Sequence, residues 1–216
     1  MLSRQTTLLY DNFSTSIPDS YQANSSWYTP NGYVSHYISG GYLGVKMKAN
    51  SWDGPSQGQF SAGNAFCWQR GRDLNMYARF KLTTFTSGSL NYNDCWIGFA
   101  GSAVAFSNTW FGIKSYWGTG FSFNAQSNIG GVNQQSVSFG VGADNSWHEV
   151  RIKCFGSSGN VTVQLDSGTP VTLNNANLTG NNLMPSYWFW SNDSSNERGL
   201  DVDEIKVWQN RDWSHT

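Results

Sequence analysis

Polar and apolar positions alternate with a period of two along most of this chain, in short runs bounded by Gly, Asn, Ser and Pro. Few windows show the i, i+3, i+4, i+7 spacing of an amphipathic helix, so the pattern predicts an all-β protein. In Leu74 to Leu82, the residues Leu74, Met76, Ala78, Phe80 and Leu82 share one face, and Asn75, Tyr77, Arg79 and Lys81 share the other. One face is core and the other is wet. Trp147 to Phe155 repeats the arrangement, with Val150, Ile152 and Cys154 inward and Glu149, Arg151 and Lys153 outward. His148 alternates with Val150 and is therefore placed inward. The turn Gly156-Ser157-Ser158-Gly159-Asn160 leads into Val161, Val163 and Leu165, which predicts a hairpin. Asp166-Ser167-Gly168-Thr169-Pro170 then turns the chain into Val171-Thr172-Leu173.

Further strands are predicted at Leu43 to Met47, Gly63 to Trp68, Cys95 to Ala100, Trp110 to Tyr116, Gly120 to Asn124, Ser136 to Phe139, Tyr187 to Trp190 and Leu200 to Trp208. About a dozen short strands at close spacing fit a two-sheet antiparallel jelly-roll sandwich. No composition break or Pro-rich linker divides the chain, so one domain over residues 1–216 is expected. A chain of this length buries roughly 70% of its unfolded surface without staples.

Composition narrows the function. Aromatic residues make up 16% and charged residues 12%, the reverse of the balance in disordered chains. Lys and Arg number 13 against 14 Asp and Glu, with no basic run, so no nucleic-acid partner is expected. No stretch approaches the roughly 20 apolar residues of a membrane span. Cys67, Cys95 and Cys154 are far apart and match no metal or disulfide pattern. No cofactor is expected. The opening residues Met1 to Tyr10 lack the apolar segment of an export signal, although the Trp-, Asn-, Ser- and Gly-rich composition is of an extracellular type.

Three segments resemble a known family. Leu200-Asp201-Val202-Asp203-Glu204-Ile205-Lys206-Val207-Trp208 is similar to the closing strand of concanavalin A-like lectin/glucanase domains, in particular the laminin-G-like branch. Ser146-Trp147-His148-Glu149-Val150-Arg151-Ile152, followed by Asn160 to Gly168, resembles that family's hairpin, with Ser167 intervening before the Gly. Leu8-Leu9-Tyr10-Asp11-Asn12-Phe13 resembles its first strand. The resemblance implies the concanavalin A-like fold. It also implies a structural calcium in some relatives, for which Asp11 and Asp203 are the counterparts. Six to eight oxygen ligands are needed there, and two aspartates do not supply them, so no metal is assigned.

Catalysis finds little support in the residues. A glycosidase of this fold needs two carboxyl groups flanking the scissile bond, and the glucanase branch carries an E-x-D-x-E strand. The chain has only Glu149, Glu197 and Glu204, and no such strand. Asp201-Val202-Asp203-Glu204 comes nearest, on the closing strand. Trp110 to Tyr116 resembles the Tyr- and Lys-bearing strand of alginate lyases, but the Gln-Ile-His partner strand is missing. A protein without catalysis is expected.

The aromatics offer the sharper signal. Phe111 and Ile113 point inward, which leaves Trp110, Lys114 and Tyr116 on the opposite face. Tyr187-Trp188-Phe189-Trp190 is aromatic on both faces, and Trp52 and Trp117 sit in polar loops. Trp147 and Trp208 are assigned to packing. The candidate glycan- or partner-binding set is therefore Trp52, Trp110, Lys114, Tyr116, Trp117, Trp188 and Trp190. The expected role is a bacteriophage virion surface protein, a capsid decoration or fibre-associated component made in the host cytoplasm. Its expected partners are capsid or other virion proteins, a second copy of the chain and a cell-surface glycan. The alternatives are an extracellular carbohydrate-binding module and, behind it, a glycan hydrolase or lyase.

Overall fold

The computed structural model describes residues 4–11, 33–39, 42–48, 56–59, 66–67, 72–83, 93–101, 109–116, 122–129, 134–174, 182–191 and 198–211. They contain β1 (Arg4–Asp11), β2 (Tyr33–Ser39), β3 (Tyr42–Lys48), β4 (Ser56–Gln59), β5 (Phe66–Cys67), β6 (Leu74–Thr83), β7 (Asn93–Ala100) and β8 (Thr109–Tyr116). The second half contributes β9 (Ser122–Ile129), β10 (Gln135–Gly142), β11 (His148–Cys154), β12 (Val161–Leu165), β13 (Val171–Leu173), β14 (Asn182–Ser191) and β15 (Arg198–Arg211). One sheet has eight strands in the order β13-β12-β11-β6-β15-β3-β2, with β1 also paired to β15. The other has seven, β10-β9-β8-β7-β14-β4, with β5 also paired to β14. The protein is the all-β, two-sheet antiparallel jelly-roll sandwich that the alternation predicts.

Alternating burial explains how the layers meet. Along β6 every second side chain from Leu74 to Leu82 is buried, and β11 and β12 do the same with Val150, Ile152, Cys154, Val161, Val163 and Leu165. The seven-stranded sheet answers with Cys95, Ile97, Phe99, Phe111, Ile113, Phe123, Tyr187 and Phe189 in the same cluster. Across the layers Phe80 meets Phe123 edge to face, centroids 5.8 Å apart.

The closing strand β15 lies at the centre of the eight-stranded sheet. It pairs with β6 on one side and with β3 and β1 on the other. Leu200, Val202, Ile205 and Val207 are fully buried, although Val202 and Ile205 are three residues apart. A bulge between Val202 and Glu204 in the β6 pairing resolves this. The extra residue, Asp203, resets the alternation so that the apolar residues on both sides of it reach one core.

Some elements differ from the sequence expectation. β4 reads Ser-Gln-Gly-Gln and has no apolar residue to alternate; only its backbone pairing with β14 makes it a strand. β2 was not expected either, and β9 runs on to Ile129 where the prediction stopped at Asn124. Trp147 and Trp208, assigned to packing, pack against side chains of the sheet's outer face. Arg79 and Lys81 each lie 4.8 Å from the Trp147 ring, and Lys206 lies 5.5 Å from that of Trp208, on the charged face of the sheet. Cys95 and Cys154 are buried and form no disulfide, and burial, then Asp73, pushes Cys154 up to about 12.

His148 is buried, as its alternation predicts, with its ring against Phe80 and Phe123. Its Nδ1 faces Asp166 at 2.9 Å and its Nε2 faces Asp144 at 3.2 Å. Asp166 adopts a left-handed conformation (φ 50°) and also accepts a 2.8 Å hydrogen bond from the Glu149 backbone N–H. These bonds offset the strain and explain why Asp, rather than the Gly two residues on, takes the turn position. Asp166→Ala is expected to cost about 2–3 kcal/mol in urea denaturation, because it removes both bonds and keeps the strain. Asp166→Gly should cost about 1 kcal/mol less, because Gly adopts this conformation freely. Asp144 carries a pH signature: hydrogen bonds from Ser146, with its backbone N–H foremost, and then from His148 hold its carboxyl below 3.8. The resulting stability is present above that value and is lost as pH falls through the lower folded value. Asp144→Asn should therefore be less stable than the parent at pH 7 by under about 1 kcal/mol, since the side chain is more than half exposed. The gap should narrow as pH falls below 3.8 in pH-resolved denaturation.

Candidate functional site

The seven-stranded sheet has a second face, and strand registers show what it carries. One row across it runs Ser138, Asn124, Lys114, Trp96, Trp188, Gln57. The next runs Ser136, Gln126, Gly112, Gly98, Ser186, Gln59. A third runs Asn128, Trp110, Ala100, Met184. Every position in these rows is neutral except Lys114.

This face is sheltered. Trp96, Ala100 and Trp110 form a buried cluster separate from the main core, with the two indoles edge to face at 5.9 Å. Trp110 is 6% exposed and Trp96 2%, so these rings build the floor and offer no free stacking face. Beneath them lie two glycines. A Cβ on Gly98 would stand 2.1 Å from the Phe111 carbonyl oxygen and 2.9 Å from the Trp96 ring, and one on Gly112 would stand 2.2 Å from the Ile97 carbonyl oxygen. Their bareness lets β7 and β8 approach and lets the Trp96 indole lie over Gly98. Beside this pad, Asn124, Gln126 and Ser186 are buried. The Asn124 amide donates to the Ser122 carbonyl at 3.0 Å. The side-chain oxygens of Gln126 and Asn128 are buried and accept no hydrogen bond.

The outward face of the eight-stranded sheet is built in the opposite way. Arg79 pairs with Asp203, Lys81 with Asp201 at 3.4 Å, Arg151 with Glu149 at 2.8 Å and Lys153 with Asp73 at 2.8 Å. An open depression of about 420 Å³ lies there among Arg79, Trp147, Glu149, Arg151, Asp166 and Ser167. The Asp203 carboxylate, the calcium counterpart implied by the resemblance, is engaged by Arg79. Asp11 stands in register with Ile205. Among the described residues no group of three His, Cys, Asp or Glu is placed to hold a metal.

Of the candidate residues, Trp110, Lys114 and Trp188 stand in these rows. Tyr116 lies on β8 in register with Ser122, and Trp188 and Trp190 lie on β14 in register with Trp96 and Asp94. Trp52 and Trp117 lie outside the described residues. Trp96, Asn124, Gln126 and Asn128 were missed in the sequence. Their signal was present, since β9 interleaves amides at every second position with Phe123, Ala125, Ser127 and Ile129. For proton-abstracting chemistry, Tyr187 is unsuited: it is in the core, and burial raises its phenol far above the ordinary range. His148 is likewise enclosed between aspartates and phenylalanines.

No protein-family model and no curated protein matches this sequence. Solved structures do. A β-1,3-glucanase from Mycobacterium marinum superimposes with a TM-score of 0.61 at 17% identity, covering 94% of this chain and 99% of that one. A pseudo β-1,3-glucanase of Mycobacterium tuberculosis gives 0.63 at 15%, covering 93% and 98%. The carbohydrate recognition domain of Emp47p gives 0.60 at 12%, covering 91% and 92%. Glucanases predominate among the similar structures, which corrects the expectation of a protein without catalysis: the missing E-x-D-x-E strand does not set this chain apart from an enzyme fold. The chain has the concanavalin A-like lectin/glucanase jelly-roll fold that its motifs imply.

Proposed function

We propose that the second face of the seven-stranded sheet binds a neutral glycan, a β-glucan chain laid across β10, β9, β8 and β7. The carrying observation is the contrast between the two outward faces. A sheet face turned to water ordinarily carries charge, as the eight-stranded sheet does. Here the rows carry amides, hydroxyls and indoles, with Lys114 as their single charge and Asp94, two residues before Trp96 on β7, in the row beside them. Sheltered amides and hydroxyls suit a neutral ligand that bears hydroxyls. Rows of six strands span roughly 24 Å at about 4.8 Å per strand, room for several sugar rings. The glucanase and carbohydrate-recognition neighbours support the same ligand class.

Cleavage is the second reading, favoured by the glucanases among those neighbours. It requires two carboxyl groups about 5–9.5 Å apart. Asp94 of β7 is the one acidic residue on the described strands of this sheet. A virion setting with capsid partners is a separate proposal that rests on composition, and presence on purified bacteriophage particles is its check.

Titration with a soluble β-1,3-glucan should show binding, weakened roughly 10- to 100-fold by Lys114→Ala, the range for losing a charged hydrogen-bond donor. Unchanged affinity in that variant would remove the face from the site. If reducing ends are released from the same polymer, Asp94→Asn should slow release at least about 100-fold.

A further inference from the structure

Two acceptors on this face are unexplained by the fold alone. Gln126 Oε1 and Asn128 Oδ1 are buried and accept no hydrogen bond. They sit two residues apart on β9, so their side chains share one face, opposite Gly112 and Trp110. Gln126 as a whole is 5% exposed. Buried polar groups in folded proteins are almost always partnered, and an orphaned acceptor destabilises the fold that contains it. A pair of them beside an aromatic pad marks a place where a partner arrives from outside.

Resting on the glycan reading above, we propose that Gln126 and Asn128 are its specificity-determining residues, accepting hydrogen bonds from hydroxyls of a neutral sugar and rejecting sugars that carry carboxylate or sulfate. The orphaned atoms are both acceptors, although each amide also carries an NH2 donor. An amide oxygen only accepts, so it is satisfied by a hydroxyl, which can donate. A carboxylate or sulfate oxygen at the same place brings a second acceptor and a charge that must be stripped of water. The nearest cation on these rows, Lys114, stands opposite Asn124, one row away from Gln126 and two from Asn128. It therefore faces neither orphaned oxygen directly. Uronate polymers are thus excluded by the two amides, although a lysine lies nearby.

The physical signature is a stability gain coupled to a binding loss. Gln126→Met and Asn128→Leu replace each orphaned acceptor with an apolar group of similar size. Thermal denaturation should show an unchanged or higher Tm for both, because no bond is lost in the free protein. Titration with a soluble β-1,3-glucan should show affinity lowered about tenfold in each, equivalent to 1.4 kcal/mol. The parent protein should bind that glucan at least tenfold more tightly than alginate or polygalacturonate at equal ionic strength. A lowered Tm in both variants would assign the oxygens a structural role and overturn the proposal. Equal or tighter binding of the uronate polymers, or unaltered glucan affinity in the variants, would overturn the selectivity and leave glycan binding standing. Failure of the parent to bind any of the three polymers would overturn the glycan reading itself, and this proposal with it.

Discussion

A sandwich of two sheets has four faces and one core, so two faces are left for water or for something else. Everything notable in this protein follows from how it treats those two. The inner faces are ordinary: aliphatic residues of β6, β11, β12 and β15 meet the phenylalanines of β7, β8, β9 and β14. The outer face of the eight-stranded sheet is ordinary as well, with Arg79, Lys81, Arg151 and Lys153 each paired to an acid and several of them stacked over an aromatic ring. The outer face of the seven-stranded sheet departs from both patterns. It has neither the hydrophobicity of a core nor the charge of a wet surface. The bare pair Gly98 and Gly112 seats an indole on it, and two amides keep acceptors idle there.

Much of this architecture can be read from the sequence where hydropathy contrast is strong. β6 and β11 alternate Leu, Met, Val and Ile against Arg, Lys and Glu, and their buried faces lie where that alternation puts them. Contrast fails where neighbours are similar in polarity. In β9 the amides interleave with Ser127 and Ala125, so the predicted strand stops at Asn124. The closing strand hides its bulge in a different way. Asp203 and Glu204 are consecutive acids, and only the pairing with β6 shows that one of them is the extra residue.

The site was half legible for the same reason. Trp110 and Lys114 could be placed by opposition to Phe111 and Ile113 within a single strand. Trp96 could not, because its importance comes from lying next to Trp110 across a strand pair and over a glycine, and register is not written in local sequence. Exposure was equally invisible: Trp110 looked like an open platform and is a floor. The expectation about catalysis erred on a different level. It read absent motifs as absent activity, whereas a single fold here accommodates a glucanase, a pseudo-glucanase and a carbohydrate recognition domain.

The division of charge between the two outer faces separates their responses to salt. Ion pairs on the eight-stranded sheet weaken as the Debye length shrinks from about 10 Å at 0.1 M to about 3 Å at 1 M. Amide and hydroxyl contacts carry no net charge and have little to screen. One side of this molecule is therefore tuned by the ionic surroundings, and the other, with few charges in its rows, responds to them little.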